Sequence, residues 1–90
     1  MRLALTPILL VPLAACVASE QPRADLRARQ EAACAAVIAA HVGRPLGEVS
    51  SRWISEAGGV AQVEARDGNR LHICDVDTSG RVLGYSHPGT

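Results

Sequence analysis

The sequence has no lysine and no phenylalanine, and its aromatic side chains are one tryptophan and one tyrosine. A chain of 90 residues with so few large side chains can build only a thin core. Domains of that kind usually depend on a cross-link. Positive charge is not in excess either, because nine basic side chains are balanced by nine acidic ones. Nucleic-acid-binding proteins concentrate basic residues on one surface, so we expect no nucleic-acid partner.

The apolar run at the N-terminus is too short to cross a membrane. It covers residues 3–15, follows Arg2 and contains two prolines, whereas a membrane-spanning helix needs about 20 apolar residues. One positive charge, a short apolar stretch and small residues are typical of an export signal. We therefore interpret residues 1–15 as a signal peptide that is removed.

The segment Leu13-Ala14-Ala15-Cys16 resembles the bacterial lipobox, in which a branched and two small residues precede an invariant cysteine. The resemblance implies cleavage before Cys16 and acylation of its sulfur and amine by chains such as palmitate, which anchor a protein to a membrane. The residue after the cysteine is Val17 and not aspartate. In lipoproteins of this kind the absence of aspartate implies sorting to the outer membrane, so we expect a periplasmic domain that is anchored there. The alternative is an ordinary signal peptide that is cut elsewhere.

Two cysteines, Cys34 and Cys74, remain once Cys16 carries lipid. An oxidising periplasm favours their pairing in a disulfide. Closing a loop of about 40 residues contributes roughly 4 kcal/mol to stability in the chain-entropy treatment. The alternative is a pair of reduced cysteines that are buried as small apolar side chains.

The hydrophobic pattern changes from helical to alternating after Gly47. Polar residues around Pro22 predict a tether over residues 16–24, and an apolar stripe predicts a helix over residues 25–42. Alternation between glycine-rich turns predicts strands over residues 48–55, 60–66, 70–77 and 81–86. We expect an α+β domain over residues 25–86, with one N-terminal helix packed on a three- to four-stranded antiparallel meander, and a loose tail over residues 87–90.

The third predicted strand contains a conflict. Cys74 must face the helix to reach Cys34, and strict alternation then turns Leu71 and Ile73 to the opposite face. Either that face is partly covered, for example by a partner, or a β-bulge near Cys74 changes the phase. Trp53 is either the centre of the core or an exposed contact, since tryptophan is enriched at binding hot spots. The candidate partner-contact residues are therefore Trp53, Leu71 and Ile73.

No residue pattern indicates catalysis, a metal site or a cofactor. His41, His72 and His87 do not stand at a ligand spacing such as H-x₃-H. The serines have no nucleophile signature around them. We expect a protein that is not an enzyme and that binds neither metal nor cofactor.

Three segments resemble the I78 peptidase-inhibitor family of small secreted bacterial proteins. They are Cys34-Ala-Ala-Val37, residues 41–48 and residues 70–82. The resemblance implies a helix that begins at a cysteine, a break at Val-Gly-x-Pro, two closing strands and inhibition of a serine peptidase. The candidate inhibitory loops are residues 55–59 and 67–69. Two features depart from that family. His72 stands where the family has asparagine, and Cys74 lies in the third predicted strand, whereas the second cysteine of the family lies at the end of the chain. The other hypothesis is a structural or accessory lipoprotein that docks on another envelope protein.

Overall fold

The structure, a computed structural model, describes residues 14–88, and it describes side chains from Pro22 onward. One helix precedes a four-stranded antiparallel sheet, which confirms the predicted α+β class. The elements are α1 (Ala14–Val42), a 3₁₀ turn (Leu46–Glu48), β1 (Val49–Ala57), β2 (Val60–Asp67), β3 (Arg70–Asp77) and β4 (Val82–Ser86). Most of the predicted signal peptide and residues 89–90 of the predicted tail lie outside the described residues.

The start of the helix was predicted wrongly. We expected it at Asp25, but α1 begins at Ala14 and contains Pro22 in its interior. The reason is that residues 14–24 contain four alanines and one each of glutamate, glutamine and arginine, all strong helix formers. Proline removes one backbone hydrogen bond and, in this case, does not end the helix. The predicted tether, residues 16–24, is therefore helical along its backbone, and its role as a tether stays a prediction.

The four strands follow one another in space in the order β1-β2-β3-β4. Gly58 and Gly59 form the two-residue loop between β1 and β2, with φ angles of 60° and 82°. Hairpin loops of this length favour positive φ because it matches the twist of the flanking strands. The next loop is Gly68-Asn69, one residue later than predicted, because Asp67 still pairs with Arg70.

The turn between β3 and β4 is organised by one carboxylate. The Oδ1 atom of Asp77 accepts hydrogen bonds from the backbone N–H and the hydroxyl of Ser79, at 2.9 and 2.7 Å. It also accepts one from the N–H of Arg81, at 2.9 Å. The hydroxyl of Ser79 and these backbone donors lower the pKa of Asp77 because they stabilise the ionised carboxylate. An aspartate at the end of β3 therefore fixes the path into β4.

The core lies between α1 and one face of the sheet. Its buried apolar residues are Cys34, Ala35, Ile38, Ala39, Val49, Ala61, Val63, Ala65, Cys74 and Val76. Six of these ten side chains are alanines or cysteines that present little bulk, which allows helix and sheet to approach closely. Larger side chains at the margin, Trp53 and Val82 among them, pack against this cluster.

Candidate functional site

Cys34 of α1 and Cys74 of β3 form a disulfide, as predicted. Their Cα atoms are 5.8 Å apart, and 40 residues separate them along the chain. Both cysteines are fully buried. Cys74 pairs with Val63 on one side and with Tyr85 on the other, so the bond attaches the helix to the middle of the sheet.

The register of β3 decides where Leu71 and Ile73 lie. β3 pairs with β2 without interruption from Arg70 to Asp77, so strict alternation holds along the whole strand. The register shift near Asp75 occurs against β4 and leaves this alternation intact. With Cys74 facing the helix, Leu71 and Ile73 face away from it, and both are half-buried. The alternative of a bulge that turns them inward is therefore wrong.

These two residues lie in the middle of a surface that we call the outer face. Its members are Ser50, Arg52, Ser55, Ala57, Val60, Gln62, Glu64, Arg66, Leu71, Ile73, Asp75, Asp77, Gly84 and Ser86. No element of residues 14–88 packs over this side, since α1 covers the opposite face of the sheet. A four-stranded sheet thus presents one face that the described part of the chain leaves open.

Glu64 of the outer face contacts two arginines, Arg52 on the neighbouring strand β1 and Arg66 on its own strand β2. Arg52 Nη2 lies 3.3 Å from Glu64 Oε1, and Arg66 Nε lies 3.9 Å from the same oxygen. Gln62 donates a hydrogen bond of 3.5 Å to Asp75 Oδ1. Two arginines stand against three acidic residues, because Asp77 shares this face with Glu64 and Asp75, so the outer face has no excess of positive charge.

Trp53, the third predicted contact residue, lies on the other side of the sheet. Its indole Nε1 donates a hydrogen bond of 2.9 Å to Oε1 of Gln30, and its backbone N–H donates one of 2.7 Å to Glu31 Oε2. The guanidinium carbon of Arg27 stands 3.9 Å from the centre of the ring. Trp53 is half-buried against α1, so it cannot share one contact surface with Leu71 and Ile73.

The structure brings together three histidines that the sequence pattern kept apart. His41 lies in the last turn of α1, His72 in β3, and His87 just after β4. The ring centres are 4.3 Å apart for His72 and His87, 5.8 Å for His41 and His87, and 6.1 Å for His41 and His72. Tyr85 joins them, with its hydroxyl 3.2 Å from His41 Nδ1.

Sequence reasoning missed this cluster because it searched for ligand spacing along the chain. The strand register explains how two of the histidines meet. Cys74 of β3 pairs with Tyr85 of β4, so antiparallel pairing places His72, two residues before Cys74, opposite His87, two residues after Tyr85. His41 lies in the last turn of α1, beside His72 of β3 and Tyr85 of β4.

His72 is the buried member of the cluster. Its side chain has no solvent exposure, and neither ring nitrogen has a hydrogen-bond partner among the described residues. Burial lowers the pKa of His72 below 6.5, and the neighbouring His87 and His41 lower it further because a second positive charge is disfavoured. His72 is therefore a neutral imidazole at neutral pH.

No protein-family model, curated protein or solved structure matches the chain. Within residues 14–88 there is no helix with the length and hydropathy needed to span a membrane. The side chain of Cys16 lies outside the described residues, so lipidation at this position stays a prediction. The expectation that the chain is not an enzyme stays a prediction as well.

Proposed function

We propose that the chain is a lipid-anchored module of the bacterial cell envelope that docks on another envelope protein through its outer face. One observation carries the proposal: Leu71 and Ile73 lie on a sheet face that no other described element covers. An apolar centre with a polar rim is the usual composition of a protein-binding surface. Acyl chains on Cys16 would hold this surface close to its partner.

The charge of the outer face favours a protein partner over a lipid surface. Arg52 and Arg66 are each near Glu64, and Asp75 supplies a further negative charge. Attraction to anionic lipid headgroups requires an excess of basic side chains, which this face lacks. The matching surface would present apolar side chains at its centre and charges of both signs around them.

Inhibition of a serine peptidase is less well supported by the geometry. β1 extends to Ala57 and β2 to Asp67, which reduces the two candidate inhibitory loops to the pairs Gly58-Gly59 and Gly68-Asn69. Such tight turns offer no extended segment that could imitate a substrate. The prediction is checked by titrating chymotrypsin-like and subtilisin-like peptidases with the chain, and it fails if micromolar protein leaves both uninhibited.

The docking proposal is tested by capture from bacterial membranes with the lipidated chain as bait. Leu71→Asp and Ile73→Asp each place a charge in the apolar centre, so each should abolish capture of the dominant partner. Ala36→Asp introduces the same charge on an exposed position of α1 and should leave capture unchanged. Fluorescence of the single tryptophan verifies that all three variants are folded. Equal capture by all three folded variants would show that the outer face is not the binding surface.

A further inference from the structure

All three histidines of the chain meet at one end of the fold. They come from three separate elements: the end of α1, the middle of the sheet and the segment after β4. Nothing in the proposed docking function uses them, because they lie on the helix side of the sheet, away from the outer face.

We propose that His41, His72 and His87 bind one divalent transition-metal ion of the zinc class through one ring nitrogen each. Imidazole is a preferred ligand for zinc, copper and nickel. Three protein ligands leave a further coordination position, which a water molecule or a group from a partner would occupy.

The spacing of the rings fits such a site. Zinc–nitrogen bonds are about 2.0–2.1 Å long, so three imidazoles around a tetrahedral ion have ring centres roughly 5 Å apart. The centres of His72, His87 and His41 are separated by 4.3, 5.8 and 6.1 Å, on both sides of that value. In the present arrangement no three His, Cys or acidic side chains of residues 14–88 are set to ligate one ion. Binding would therefore require changes in side-chain torsion angles that turn one nitrogen of each of these neighbouring rings toward a common point.

The three residues differ in burial. His41 and His87 are exposed, whereas the side chain of His72 is completely buried. His72 would thus be the innermost ligand, and the two exposed rings would close the site over it. The ion would connect α1, β3 and the segment after β4.

A second, independent observation supports the site. Buried polar atoms in folded proteins nearly always have a partner, and an unsatisfied one is costly. Both ring nitrogens of His72 lack a hydrogen-bond partner among the described residues. A metal ion bound to one of them would satisfy it.

Tyr85 prepares His41 for the same role. Its hydroxyl lies 3.2 Å from His41 Nδ1. When Nδ1 carries the proton and donates a hydrogen bond to the tyrosine oxygen, the lone pair is on Nε2, which is then available for the metal. Metal-ligating histidines usually have a second partner of this kind, which fixes their tautomer.

The experiment is a Zn²⁺ titration of the full chain, purified in detergent without a polyhistidine tag. Calorimetry should show one ion bound per chain, and Co²⁺ in place of Zn²⁺ should give the visible absorption of a tetrahedral nitrogen site. His41→Ala and His87→Ala alter exposed positions, so both variants should fold while their affinity falls by more than about tenfold. Asp75→Asn, a control on the outer face, should bind as the parent does.

Two results would overturn the proposal. One is the absence of calorimetric heat and of a cobalt spectrum at millimolar metal. The other is undiminished binding by the folded double variant His41→Ala/His87→Ala, which would mean that zinc binds elsewhere. His72→Gln is a further variant for the cobalt experiment. Tryptophan fluorescence reports whether it folds, and the folded variant should lose the cobalt spectrum.

Discussion

The indole of Trp53 donates a hydrogen bond to the side-chain oxygen of Gln30, at 2.9 Å. The amide nitrogen of the same Gln30 donates one to the backbone oxygen of Asp77, also at 2.9 Å. Gln30 is buried, with 2% of its surface exposed. A single amide on α1 therefore holds β1 on one side and the end of β3 on the other.

Replacing this amide should destabilise the domain more than its size suggests. In Gln30→Ala both the indole N–H and the carbonyl of Asp77 lose their partner in a poorly hydrated place. We expect the free energy of unfolding to fall by about 2 kcal/mol. Urea titration followed by the emission of Trp53 measures the change. Ala36→Gln, at an exposed position of the same helix, is the control and should shift stability by less than about 0.5 kcal/mol. Similar effects of the two substitutions would refute the bridging role.

The disulfide between Cys34 and Cys74 should supply a large part of the stability. Its loop of 40 residues corresponds to about 4 kcal/mol in the chain-entropy treatment. Small domains are stable by only about 5–15 kcal/mol in total. We expect Cys34→Ala/Cys74→Ala to unfold at much lower urea concentration than the parent. A reductant should lower the midpoint of the parent and leave that of the double variant unchanged. A parent midpoint that is insensitive to a reductant would contradict the role given to this bond.

Ile38 should be the most sensitive apolar position of the helix, because its side chain is fully buried between α1 and the sheet. Ile38→Ala removes three carbon atoms from this contact, and we expect a loss of about 3 kcal/mol. Leu83 in β4 is 55% exposed, so Leu83→Ala serves as the matched control with an expected loss below about 0.5 kcal/mol. Denaturant unfolding measures the free energy of unfolding of both variants. Comparable decreases in the two would contradict the position of Ile38 in the core.

Stability should depend on pH through His72. Its pKa is lower in the folded state than the ordinary value of 6.5, so between the two values the unfolded chain binds more protons. The free energy of unfolding therefore falls as the pH decreases from 6.5 toward the folded-state pKa. Unfolding is measured across this range in the presence of a chelator, which removes any bound metal. His72→Gln should show a flatter profile and Asp75→Asn an unchanged one; an equally steep profile in His72→Gln would assign the dependence to other groups.

The sequence predicted the sheet better than the helix. Alternation identified four strands, with the glycine pair at Gly58-Gly59 between the first two, because a half-buried strand shows its period directly. The start of α1 was missed because the polar residues around Pro22 were interpreted as a tether, whereas they continue the helix on both sides of the proline. The hydrophobic pattern does not show whether the helix propensity of the surrounding residues outweighs the effect of one proline.

The candidate sites depended on information that alternation alone does not contain. Pairing with Cys34 fixed the orientation of Cys74, but whether Leu71 and Ile73 point outward depended on an unbroken register with β2. The histidine cluster required both the register of β3 with β4 and the position of the helix end above them. Long-range register determines which distant residues meet, and it is set by the whole sheet.

The proposed function rests on the chemistry of Cys16, because lipid at this position places the domain and its outer face in the envelope. The most direct test is mass spectrometry of the chain from bacterial membranes, digested without reduction. We expect a first peptide that begins at an acylated Cys16, and a cross-linked pair of peptides that contain Cys34 and Cys74. An unmodified Cys16 that is still joined to Ala15 would contradict the proposal.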